Sequence, residues 1–100
     1  MPQEAPVYAI AIVRYRKPLE EILTVLDAHR AYLRELKAKG LLLASGPLDP
    51  RSGGALLLRV PDEAALDAVR DGDPFIQARV SQYELLPWLP NIGVEDLDRL

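Results

Sequence analysis

The apolar positions of the chain first alternate and then recur every three to four residues. Residues 7–14 carry apolar side chains on both faces of an extended strand, which is typical of a strand in the middle of a sheet. Pro18 suits the first turn of a helix, and Gly40 suits its C-terminal end. Between them, one helix face carries Leu19, Ile22, Leu26, Leu33 and Leu36. The pattern predicts a central strand followed by one long helix.

The next segments predict a hairpin. LLLASGPL, residues 41–48, is a strand at an edge or leading into a bend, because a glycine and a proline lie near its end. DPRSGG, residues 49–54, has the composition of a turn. ALLLRV, residues 55–60, follows as a strand whose leucine run suggests burial on both faces.

The last part of the core predicts a second helix and a fourth strand. Asp62 can cap a helix that the segment DGDP, residues 71–74, brings to an end. VSQYELLPW, which starts at Val80, contains several polar residues and a proline, and both features are typical of an edge strand. Residues 1–100 form a single domain in this interpretation, with a core at 7–88 and a tail at 89–100 that is a short helix or a loose arm.

The predicted order of elements is βαββαβ. Right-handed crossovers fold this order into a four-stranded antiparallel sheet with both helices on one face, the ferredoxin-like α+β arrangement. The other sheet face is then apolar and uncovered, so we expect a homodimer that pairs through the sheet.

Composition and charge narrow the function classes. A net charge of -3 provides no field that gathers phosphates or anionic lipids, so we expect neither a nucleic-acid nor a membrane partner. Base stacking on the sheet is also disfavoured, because Tyr8 is the one aromatic residue of the two predicted central strands. The chain has no cysteine, and the N-terminal apolar run is too short for a signal core, which favours the cytoplasm. RSGG lacks the lysine of a phosphate loop and no metal-ligand spacing occurs, so no cofactor and no metal are expected.

His29, the only histidine, falls on the apolar face of the predicted long helix. It lies roughly 35° from the centre of the leucine stripe and so faces the sheet. An imidazole N–H that is buried without a partner costs about 1–3 kcal/mol, so a fixed acceptor is required. A backbone carbonyl would make the histidine structural, whereas a carboxylate beside a cavity would prepare it for general acid or base chemistry. The helix alone leaves both interpretations open.

Two aspartates are candidate partners for His29. Asp27 lies two positions before it and points to a different helix face, which excludes it. Asp73 precedes Pro74, which forces the chain out of helical geometry and presents the carboxylate while Phe75 enters apolar surroundings. The alternative is that Asp73 only caps the turn that begins at Pro74.

Ser45 is a candidate substrate-binding residue, because its strand ends beside the long helix and its hydroxyl can face a pocket near His29. The alternative is an ordinary polar turn residue. No nucleophile elbow surrounds it, so serine-hydrolase chemistry is not expected. Tyr83 and Trp88 are candidates for a pocket wall or a dimer contact, but aromatic residues near strand ends usually serve packing, so no role is assigned to them.

Four segments in this order resemble the YciI-like (YCII-related) family over nearly residues 7–88: HRAYLRELKAKGLLLASGPL, a Gly-Gly pair before LLLRV, DPFIQARV, and YELLPW. The resemblance implies a dimeric α/β barrel of the ferredoxin-like type. It also implies a proposed active site that pairs the helix histidine with the aspartate of the Asp-Pro-Phe segment, here His29 and Asp73. Relatives in this superfamily include cofactor-independent isomerases and a dehydrochlorinase.

Two functions follow from these observations. The first is a cofactor-independent enzyme, of isomerase, lyase or dehydrochlorinase type, in which Asp73 orients His29 for proton transfer on a small organic molecule. The second is a non-catalytic dimeric module that binds a small ligand or serves as an accessory domain, with the same two residues as a structural pair.

Overall fold

A computed structural model describes residues 5–100, so the first four residues of the N-terminal segment considered above lie outside the described part. The elements are β1 (Val7–Tyr15), α1 (Leu19–Ala38), β2 (Leu42–Pro47), β3 (Gly53–Val60), α2 (Glu63–Gly72), α3 (Pro74–Gln77), β4 (Ser81–Trp88) and α4 (Val94–Leu97). Neighbouring strands are antiparallel in the order β2-β3-β1-β4. This confirms the predicted ferredoxin-like α+β fold. None of the helices in residues 5–100 is long and apolar enough to cross a membrane.

The core lies between the sheet and the helices. On β1, Ala9 and Ala11 are fully buried, and these small side chains allow the helix layer to approach the central strand closely. Large side chains from the other elements fill the remaining space, among them Ile22 of α1, Leu58 of β3 and Phe75 of α3. One core therefore contacts the sheet and the helices α1 and α3, which surround the predicted site.

Helix α1 agrees with the predicted pattern except at its beginning. Pro18 lies immediately before the helix, not inside its first turn, and Leu19 is 45% exposed, not part of the buried stripe. Ile22, three residues on, is fully buried, so the packed stripe of α1 begins there and not at Leu19. At the other end Gly40 adopts φ 78°, and the Leu41 N–H donates to the Leu36 carbonyl, which ends the helix as predicted.

The predicted turn at residues 49–54 is too long by two residues, because Gly53 and Gly54 belong to β3. Gly53 pairs with Arg14 of β1. A Cβ atom at Gly53 would stand 1.8 Å from the Val13 carbonyl oxygen. The absence of a side chain therefore allows close strand approach here and does not mark a bend.

The second sheet face is not covered by α1, α2 or α3. Ile10, Ile12 and Leu57 are half-buried on it, and Leu86 is 42% exposed.

The tail ends in α4 and is fixed to one end of the sheet, since the Tyr8 hydroxyl donates to Asp98 at 2.5 Å. Of the two alternatives for the tail, the structure shows the short helix.

Candidate active site

The α2–α3 junction positions the carboxylate of the site. Helix α2 begins after Asp62, whose carboxylate accepts from the Ala65 N–H at 2.9 Å, and it ends at Gly72. Asp73 is then extended, with φ -73° and ψ 127°, because Pro74 follows it. Its Oδ1 accepts from the Phe75 N–H at 2.8 Å, so Asp73 caps α3. The side chain of Asp73 is fully buried.

His29 reaches this carboxylate from α1. Its Nδ1 lies 2.8 Å from Asp73 Oδ1, and the residue is 8% exposed. The imidazole stacks on the Phe75 ring with centroids 3.8 Å apart and planes 6° apart. The Phe75 ring is in turn almost perpendicular to the Tyr15 ring, and the two ring centroids are 6.0 Å apart. Hydrogen bonding and stacking together fix the orientation of the imidazole.

Tyr83 of β4 completes the set of donors. Its hydroxyl donates to Asp73 Oδ2, the carboxylate oxygen that neither His29 nor Phe75 contacts. Burial raises the pKa of the Tyr83 hydroxyl well above its usual range, and the negative charge of Asp73 raises this pKa further. Tyr83 therefore remains a protonated donor at neutral pH.

The donors on Asp73 define the tautomer of His29. A carboxylate accepts hydrogen bonds, so in the neutral imidazole the Nδ1–H donates to Asp73 and Nε2 carries the free lone pair. Nε2 makes no hydrogen bond with residues 5–100. Among these residues, only the Ser81 hydroxyl is both buried and without a hydrogen-bond partner. Since Nε2 also has no partner, it is not a buried atom and retains contact with solvent. The arrangement leaves a basic nitrogen accessible while its opposite nitrogen is fixed.

A cavity of about 300 Å³ lies between α1 and the sheet, and His29 forms part of its wall. Ser45 of β2 lines the same cavity. It pairs with buried Leu56, which places Ser45 on the helix side of the sheet. Asp27 is exposed and contributes nothing to the lining. The structure thus brings His29, Asp73 and Ser45 to one region of the molecule.

Sequence reasoning missed Tyr83, which it assigned to packing. The alternation of β4 contains a usable signal, because Ser81, Tyr83 and Leu85 share the more buried face of the strand. A hydroxyl on the helix side of an edge strand, shortly after Asp73, needs a buried acceptor. The stacking of His29 on Phe75 has no comparable signal, since it depends on how α1 and α3 meet.

No cluster of three or more side chains of the His, Asp and Glu types that could hold a metal ion occurs within residues 5–100. The polar side chains at the cavity are instead the imidazole of His29, the hydroxyls of Tyr15 and Ser45, and two arginines, Arg30 and Arg51. Such groups are suited to proton transfer and to the binding of a polar organic molecule.

The fold and the buried His–Asp pair define a ferredoxin-like α+β domain with a fixed imidazole at a small cavity. The sequence profile of the YCII-related domain matches residues 8–89, so the chain belongs to the YCII-related domain family. This confirms the resemblance described above.

A solved structure of similar fold is 5-chloro-2-hydroxyhydroquinone dehydrochlorinase from Burkholderia phenoliruptrix AC1100, in complex with 2,5-dihydroxybenzoquinone. It is 23% identical to this chain with a TM-score of 0.70, and the match covers 85% of this chain and 97% of that chain. No curated protein matches the sequence.

Proposed function

We propose that this chain is a cofactor-independent enzyme that uses His29 and Asp73 for general acid and base chemistry on a small organic molecule. The observation that carries the proposal is the 2.8 Å contact between His29 Nδ1 and the fully buried Asp73, at the wall of a cavity. A base oriented in this way by a carboxylate has the geometry that proton-transfer enzymes require.

In the proposed reaction, Nε2 of His29 removes a proton from a carbon or hydroxyl of the substrate. Asp73 holds the ring through Nδ1 and stabilises the imidazolium that forms. The imidazolium then returns the proton at a second position, as in an isomerase, or the electrons expel a leaving group, as in a lyase or dehydrochlorinase. Such proton transfer contributes about 100-fold to 10,000-fold in rate. We assign to Ser45, which lines the same cavity, the role of donating a hydrogen bond to negative charge that develops on the substrate.

The structural neighbour supports one branch of this chemistry. It is a dehydrochlorinase of a chlorinated hydroxyhydroquinone. Loss of hydrogen chloride requires a base that accepts a proton as chloride departs, which is the role proposed for His29. We therefore include chlorinated hydroquinones among the first substrates to be examined.

The experiment follows a panel of small enolisable ketones, lactones and chlorinated hydroquinones by proton NMR in D₂O, together with chloride release. We expect His29→Gln to lower turnover about 100-fold or more while the variant remains folded. Asp73→Asn should lower turnover as well, and Asp71→Asn, which changes an exposed carboxylate two residues away, should not.

The alternative function is a non-catalytic module that binds a small ligand or serves as an accessory domain, and it is favoured by the complete burial of Asp73 and its three hydrogen-bond donors. Under that function, His29→Gln lowers the melting temperature strongly while ligand binding survives in the folded fraction. A stable His29→Gln variant with unchanged turnover would contradict the enzymatic proposal.

We also propose that two copies pair through the uncovered sheet face. Ile10, Ile12 and Leu57 lie side by side there, and α4 is fixed to only one end of the sheet. An apolar face of this kind is usually covered by a partner, and a second identical copy gives a closed two-fold assembly.

A further inference from the structure

The cavity beside His29 carries positive charge that the proposed proton transfer does not use. Arg30 of α1 and Arg51 of the β2–β3 loop both line it. Within residues 5–100, neither guanidinium takes part in an ion pair or in a side-chain hydrogen bond, whereas Arg14, Arg70 and Arg99 each pair with a carboxylate. Asp27, one turn before Arg30 on the same helix, forms no ion pair with it.

No acidic residue lines the cavity. Asp73, which contacts the cavity residue His29, is fully buried and is occupied by its three donors. The local charge is therefore opposite in sign to the net charge of -3 of the whole chain. Two guanidinium groups that line the same cavity and have no carboxylate partner among residues 5–100 provide the positive charge that an anion in the cavity would contact.

The remaining walls define the rest of the ligand. Leu26 and Leu33 of α1, Leu56 of β3 and Phe75 of α3 are apolar residues of the lining. The volume of about 300 Å³ lies at the lower end of the range found for small-molecule sites. Apolar walls at this size suit one flat ring with few substituents.

We infer that the cavity binds a small planar organic anion, a carboxylate or an ionised enol or phenol on a single ring, and that Arg30 and Arg51 are the residues that bind its charge. The inference rests on the proposed function insofar as the ligand is the substrate of His29. Proton removal by His29 then creates further negative charge beside two cations, so the same residues stabilise the product of that step.

Binding of benzoate and of its neutral analogue benzamide, measured by NMR titration of the full chain at millimolar ligand, tests the inference. We expect the wild type to bind benzoate more tightly than benzamide. Arg30→Gln and Arg51→Gln should each weaken benzoate binding about 5-fold to 20-fold and change benzamide binding less than about 2-fold. Arg34→Gln removes the same charge one turn further along α1, outside the cavity lining, and should leave both ligands unaffected.

Equal affinity of the wild type for the two ligands, or absence of benzoate binding, would overturn the inference. So would an equal loss of benzoate affinity in Arg34→Gln, because net charge alone would then explain the effect. These results are separate from the test of proton transfer. Benzoate binding that depends on Arg30 and Arg51 supports the anion site even where His29→Gln leaves turnover unchanged.

Discussion

Removal of the Tyr83 hydroxyl is expected to destabilise the fold while the contact between His29 and Asp73 remains. The two oxygens of Asp73 have different partners: Oδ1 accepts from Phe75 and contacts His29, whereas Oδ2 accepts from Tyr83. Tyr83→Phe therefore leaves Oδ2 without a donor in a side chain that is 0% exposed. A hydrogen bond to a charged group contributes about 1.5–3 kcal/mol, and a loss of this size is expected.

The size of the thermal shift follows from chain length. A domain of 100 residues has an unfolding entropy of about 0.21 kcal/mol/K, so the loss corresponds to a Tm lowered by about 7–14 °C. Differential scanning calorimetry and urea unfolding at pH 7 measure the two quantities.

Tyr15→Phe is the matched control for Tyr83→Phe. Tyr15 is also half-buried and contacts Phe75 through its ring, but its hydroxyl makes no side-chain hydrogen bond in the described part of the chain. Its Tm should remain close to that of the wild type. A Tyr83→Phe variant that unfolds within about 0.5 kcal/mol of the wild type would refute the reasoning, since such small changes are ordinary for surface substitutions.

Three further predictions concern pH, the sheet and assembly. Burial raises the pKa of Tyr83 above its ordinary 10.0, so above pH 10 the folded chain keeps a proton that the unfolded chain has lost. The free energy of unfolding should therefore fall as pH rises above 10, by up to about 1.4 kcal/mol per pH unit from this group, and Tyr83→Phe should remove that share in urea titrations across pH. Gly53→Ala should cost about 3 kcal/mol or prevent folding, because its Cβ would meet the Val13 carbonyl oxygen at 1.8 Å, whereas Gly46→Ala, with nothing within 4 Å, should melt near the wild-type temperature. Leu57→Glu on the uncovered sheet face should convert a dimer into single chains in sedimentation equilibrium, whereas Leu23→Glu on the exposed side of α1 should not. A wild type that sediments as a single chain at micromolar concentration would contradict pairing through the sheet.

The order of strands and helices could be predicted because the spacing of apolar residues and the residues that begin or end each element specify it locally. Alternation defines β1, the leucine spacing and Gly40 define α1, and Asp62 followed by apolar positions defines α2. The errors occur where tertiary packing overrides local composition. Gly53 has the composition of a turn, but it lies in β3 because its bare backbone admits β1 at close range.

The site could be predicted only in part, for a physical reason. Helical phase indicates that His29 faces the sheet, and the bond before Pro74 indicates that Asp73 leaves the helix. Their contact spans 44 positions of the chain, and its distance depends on how α1 packs against α3. The lining of one cavity by Arg30 and Arg51 requires three-dimensional packing, because it joins elements that are distant in sequence. Tyr83 lies only ten residues after Asp73, but which Asp73 oxygen it contacts depends on how β4 packs beside α3.

The shared carboxylate makes the stability of the fold and the proposed chemistry interdependent. Asp73 caps α3, binds Tyr83 and orients His29, so a substitution of Asp73 alters all three contacts at once and cannot assign a role to any one of them. His29 and Tyr83 contact different oxygens, so each can be changed alone. Residues that share one hydrogen-bond network have effects that do not add, with coupling of about 0.5–3 kcal/mol. The double variant His29→Gln with Tyr83→Phe, measured against each single variant, therefore reports the coupling through Asp73. Additive losses of stability would show that the carboxylate does not couple the two side chains, and the contact of His29 with Asp73 Oδ1 would then be independent of the Tyr83 hydrogen bond to Oδ2.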